Sequence, residues 1–87
     1  MALTVNLVSA EAEVWRGEAT LVVAKTPEGE IGFMPGHEPT LATLAEGQVR
    51  ITQVDGTKIV ADARDGFISM ELGDELNIVA GGAQLVA

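Results

Sequence analysis

Residues 48–60 read Gln-Val-Arg-Ile-Thr-Gln-Val-Asp-Gly-Thr-Lys-Ile-Val, QVRITQVDGTKIV. Val49 and Ile51 alternate with Gln48, Arg50 and Thr52, the period of a strand with one buried face. Asp55-Gly56 then marks a tight turn, because Asx-Gly pairs reach the left-handed backbone region cheaply. The stretch therefore predicts a β-hairpin, and the same grammar recurs in both directions from it.

Towards the N-terminus, Leu3, Val5 and Leu7 alternate with Thr4 and Asn6. Leu21 to Ala24 is a continuous apolar run, as in a strand covered on both faces or a buried edge. Towards the C-terminus, Leu76 and Ile78 alternate with Glu75 and Asn77. In the stretch Phe67 to Leu72, Ile68, Met70 and Leu72 fall on one side. Turn signals separate these segments at Arg16-Gly17, Glu28-Gly29, Pro35-Gly36, Glu46-Gly47, Asp55-Gly56, Asp65-Gly66, Gly73-Asp74 and Gly81-Gly82. Short strands broken every eight to twelve residues or so predict a sandwich or small barrel. Only Thr40 to Glu46 is ambiguous between strand and helix. With 87 residues the chain makes one all-β domain, residues 1–87, with no substantial helix.

Composition narrows the function. Thirteen acidic and five basic residues give a net charge of −8, the wrong sign for neutralising phosphates or anionic lipid. The chain has no cysteine, which excludes disulfides and thiolate metal sites from these residues. No basic segment leads into an apolar one at the start, and no apolar run is long enough to span a bilayer, so the expectation is a soluble domain facing the cytoplasm. The three aromatic residues, Trp15, Phe33 and Phe67, leave the core to aliphatic side chains.

Catalytic signatures are sparse. No phosphate-binding loop precedes a helical pattern. The serines are Ser9 and Ser69 and the lone histidine is His37, with no nucleophile elbow around either serine. His37 beside Glu38 is a poor zinc set without a second imidazole. "DGFISMELGDEL" (65–76) has the outline of a lipoyl- or biotinyl-type carrier, yet Lys25 and Lys58 do not stand in a lysine-bearing hairpin of that kind. These residues imply no cofactor, no metal and no catalytic group. What remains is an interaction module, with a carrier or ligand-binding β-domain as the alternative. Its most rigid contact element is "EIGFMPGHEP" (30–39), where Pro35 and Pro39 restrict the backbone and lower the entropy lost on docking.

Three segments in order carry a family resemblance. "LTVNLVSAEAEVWRGEA" (Leu3 to Ala19) opens it, and "TPEGEIGFMPGHEPTLATLAEGQVRI" (Thr26 to Ile51) is similar to the pattern TxEGEIGxxPGHxPLLxxLxxGxVRI. "DGFISM" with "ELNIVAGGAQL" closes it. Together they resemble the N-terminal domain of the epsilon subunit of rotary F-type ATP synthases. The resemblance implies a β-sandwich of about ten strands, a non-catalytic subunit at the foot of the central stalk. Its implied partners are the gamma subunit and the c-ring, and its implied place is peripheral on the cytoplasmic side of a bacterial plasma membrane. By position, Glu30 and His37 fall where the family meets c-ring loops and gamma, and Ser9 matches another position near gamma. Pro35 and Gly36 shape the same contact. Ile31, Phe33 and Met34 are expected to anchor the loop while Glu30 and His37 project. Two departures are Thr40, a polar residue ahead of Leu41, and Asp65-Gly66 where the family has Gly-Gly. The family continues into a C-terminal helical hairpin, in some members with an ATP-binding motif. The resemblance covers the sandwich alone, so no nucleotide role is carried over.

Overall fold

The computed structural model describes residues 2–86, and among them every regular element is a strand. The seven strands are β1 (Leu3–Ser9), β2 (Glu13–Thr26), β3 (Gly29–Phe33), β4 (Thr40–Leu44), β5 (Gly47–Gln53), β6 (Lys58–Glu71) and β7 (Glu75–Leu85). The ambiguous segment Thr40 to Glu46 is thus resolved as strand β4 and the turn after it. Its tertiary partner decides this, since Thr40 to Leu44 pairs with residues 66–70 of β6.

The hydrogen-bonding runs β1-β7-β6-β5-β2 and closes on itself through β1–β2, with β3 added to β2 and β4 added to β6. β1 and β7 are parallel and the other neighbours are antiparallel. The three longest strands change partners midway. Residues 13–19 of β2 pair with β1, whereas its later residues pair with β5 and β3. In β6, residues 58–63 pair with β5 and residues 66–70 with β4. β7 pairs with β1 up to Ala80 and follows β6 round the bend. The first layer is therefore β4, the second leg of β6, the first leg of β7, β1 and the first leg of β2. The second layer is the remaining leg of β7, then β6, β5, β2 and β3.

This explains the strand count. Seven strands replace the expected ten or so because three of the sequence's turn signals lie inside strands. Asp65-Gly66 and Gly81-Gly82 are the facing corners of β6 and β7, and Arg16-Gly17 lies within β2. Asp65 takes the left-handed conformation (φ 58°), and a Cβ on Gly66 would stand 2.7 Å from the Ala80 Cα and closer still to the Val79 carbonyl. At Gly17 the crowding comes from a side chain and not from backbone: the Trp15 ring lies over it, 2.7 Å from where a Cβ would be. The β2 corner uses a register shift between Ala19 and Leu21.

The core lies between the layers. Leu3, Val5 and Leu7 are fully buried, as are Val22, Ala24, Ile51, Ile68, Leu76 and Ile78. Phe33 is the largest fully buried side chain. Two readings from periodicity need correction. Leu21 and Val23 are only half-buried, because the second layer's outer face is open. Leu72 is 85% exposed in the β6–β7 turn and does not continue the buried series of Ile68 and Met70.

Candidate docking surface

The loop between β3 and β4 is built as a tight turn. The His37 N–H donates to the Met34 carbonyl at 3.0 Å, with Pro35 and Gly36 between them. Gly36 has φ 90°, so proline then left-handed glycine gives a type II turn. The Gly36 N–H donates to Asp74 Oδ1 at 2.8 Å, and the Asp74 carbonyl accepts the Thr4 N–H at 2.8 Å. One residue of the β6–β7 turn thereby fixes both the loop and the start of β1.

His37 is half-buried, its ring centroid 4.8 Å from that of Phe33 at a 49° tilt, and Nδ1 lies 2.8 Å from the Glu38 carbonyl oxygen. That hydrogen bond makes Nδ1 the protonated nitrogen in the neutral ring, leaving Nε2 as an acceptor. Ile31 and Phe33 anchor the loop as expected. Met34 does not: it is 58% exposed.

Glu30 lies on the outer face of the second layer, opposite Lys25 on β2. Both its carboxylate oxygens accept from one Arg50 nitrogen, at 2.9 and 3.0 Å. Each side chain is about half exposed, so the pair contributes little to stability and leaves acceptor capacity facing outward. Ser9 closes the turn after β1, its Oγ donating to the Ala12 carbonyl and accepting from the N–H groups of Glu11 and Ala12.

The structure does not bring these residues together. β1 starts beside Asp74 and ends at Ser9, and seven extended residues span about 20 Å. Ser9 and His37 are thus at opposite ends of the first layer. Ser69 is also occupied elsewhere, donating to Glu71 Oε2 at 2.7 Å. No side chain of the set meets another in a nucleophile–base pair. Among the described residues no group of three potential ligands converges on a metal position.

A larger feature was missed by motif reading. The first layer's outer face is uncovered, and the registers arrange it in rows across the strands. One row is Thr43, Phe67, Val79, Val8 and Glu13; the next is Leu41, Ser69, Asn77, Asn6 and Arg16; the third is Glu71, Glu75, Thr4 and Glu18. Phe67 is 45% exposed and Leu41 73%. In the middle row Asn6 Nδ2 donates to Asn77 Oδ1 at 3.0 Å, spanning the parallel β1–β7 joint. Alternation already turned Phe67 away from Ile68 and Met70. That it shares a face with Leu41 and Val8 depends on pairings between residues far apart in the chain.

Comparison with known proteins gives the surface its context. Residues 2–86 match the family described as ATP synthase, Delta/Epsilon chain, beta-sandwich domain. The ATP synthase epsilon chain of Rhodococcus erythropolis is 58% identical over 69 residues, covering 78% of this chain and 57% of that protein. That of Streptomyces coelicolor is 51% identical over 83 residues, covering 95% of this chain and 66% of that protein. The chain thus spans 57 to 66% of the length of these relatives. The fold is shared with a chain in the Euglena gracilis mitochondrial ATP synthase structure, OSCP/F1/c-ring, with a TM-score of 0.90 at 22% identity over 97% of this chain and 53% of that one. A chain of the Tetrahymena thermophila mitochondrial ATP synthase central stalk/c-ring structure has a TM-score of 0.78 at 16% identity, over 95% and 66%. With a match that runs from residue 2 to residue 86, the chain belongs to the delta/epsilon-chain β-sandwich family of ATP synthase.

Proposed function

We propose that this domain is a non-catalytic rotor element of a proton-translocating F-type ATP synthase, docking a gamma-type subunit onto the c-ring so that ring rotation is passed to the catalytic head. The observation that carries the reading is the family match over residues 2–86, with relatives named epsilon chain at 51 and 58% identity. The geometry supports it. A rigid sandwich offers an uncovered face with apolar and amide rows, and a proline-glycine loop tied down by Asp74. In this reading Glu30, Pro35, Gly36 and His37 meet polar c-ring loops and gamma, Ser9 lies against gamma, and the protein sits peripherally on the cytoplasmic side of a bacterial plasma membrane.

A lipoyl-type carrier is disfavoured by the hairpin tips, which hold Pro27-Glu28, Val54-Asp55 and Leu72-Gly73-Asp74 and no lysine. The test is a pull-down of the purified chain against gamma and the c-ring, followed by ATP-driven proton pumping with Glu30→Lys. Co-purification with wild type and reduced pumping with the variant are expected. Unchanged pumping would overturn the role given to Glu30, and no capture by either partner would overturn the reading itself.

A further inference from the structure

We propose that the outer face of the first layer takes a basic protein segment, one whose apolar stripe covers Phe67, Val79 and Val8 and whose lysine or arginine side chains meet the glutamate row. This rests on the docking function above and specifies the chemistry of the partner at that surface.

Three observations converge on it. Glu71 and Glu75 are directly opposite each other across the β6–β7 pair, and Glu18 lies in the same row beyond Thr4. Like charges in directly opposed positions destabilise a sheet, so the free domain carries a cost that an external cation would relieve. No basic side chain of the domain relieves it: the salt bridges among the described residues are Arg50–Glu30 and Arg64–Asp65. Lys25, Arg50 and Lys58 belong to the second layer and Arg64 to its corner, leaving Arg16 as the basic residue of the face. Finally, the glutamate row runs parallel to the apolar row at about 13 Å, two pleat repeats away. A single packed segment can cover both, with the Asn6–Asn77 amides between them.

Charge also selects among occupants. A second copy would bring another −8 against the first, and anionic lipid or nucleic acid would meet the same repulsion. A basic segment gains from the field and would associate with salt-sensitive rates.

The experiment measures binding of the full chain to the purified gamma subunit of the same synthase at low and high salt. It compares wild type, Glu71→Gln/Glu75→Gln, Phe67→Ser, and Lys58→Gln as a control on the other layer. The double glutamine variant should bind about tenfold more weakly at low salt and lose much of its salt dependence. Its thermal midpoint, measured on the free chain, should stay the same or rise, because a like-charge pair has been removed. A merely structural role for the glutamates would lower that midpoint instead. Phe67→Ser should weaken binding at both salt concentrations, and Lys58→Gln should bind as wild type. Wild-type affinity and salt dependence in the double variant would overturn the inference while leaving the docking function intact. Failure of the wild-type chain to bind gamma would overturn both. Concentration-dependent dimerisation abolished by Phe67→Ser would overturn it in favour of a second copy.

Discussion

At Gly66 a methyl group would have to share space with the Val79 carbonyl and stand 2.7 Å from the Ala80 Cα. Backbone cannot move aside as a flexible side chain can, so Gly66→Ala should cost about 3 kcal/mol in urea denaturation. Gly56 makes an informative contrast. Its φ is 91° and nothing lies within 4 Å of a Cβ, so Gly56→Ala pays only for the left-handed backbone, about 1–2 kcal/mol. Equal losses at the two sites would remove the steric account of the corner. Asp55, in the same hairpin, accepts the Thr57 N–H at 2.9 Å. That hydrogen bond favours the carboxylate and holds its pKa below the usual 3.8. The stabilisation is complete above the unfolded-state value and is lost as pH falls through the lower folded value. An NMR titration should place the Asp55 midpoint below 3.8, and Thr57→Pro, which removes the donor, should raise it.

At the scale of elements, the β3–β4 loop depends on a residue 38 positions from its glycine. Asp74→Ala removes the acceptor for the Gly36 amide, and hydrogen exchange at Gly36 should accelerate by at least about tenfold. Asp74→Asn keeps an oxygen and should exchange nearly as wild type. The Glu30–Arg50 pair is different: both side chains are about half exposed, so Glu30→Ala should change the unfolding free energy by no more than about 1 kcal/mol. The strands themselves were legible. Alternation identified Leu3, Val5, Leu7, Val49, Ile51, Leu76 and Ile78 as inward-facing, and all are buried. The misreading at Gly66 has a physical cause. A glycine required by close packing inside a bent strand has the same local signature as a glycine required by a turn. Periodicity also cannot register that Leu72 leaves the sheet one residue after β6 ends.

For the whole molecule, net charge and the spread of acidic residues were visible from the sequence, but their sorting between layers was not. Lys25, Arg50 and Lys58 meet on one layer, and Glu18, Glu71 and Glu75 on the other, only because the closed strand circuit brings distant segments into register. The candidate contact residues were equally visible one by one, while Ser9 and His37 fall at opposite ends of the first layer for reasons of topology. The central claim is that the first layer's outer face is the docking surface of this domain. A chain without native cysteine allows that to be read directly by maleimide labelling of Thr43→Cys, Ser69→Cys and Lys58→Cys, with and without the gamma subunit. Protection at positions 43 and 69 with unchanged labelling at 58 is the predicted result; labelling of 43 and 69 that is indifferent to bound gamma would contradict it.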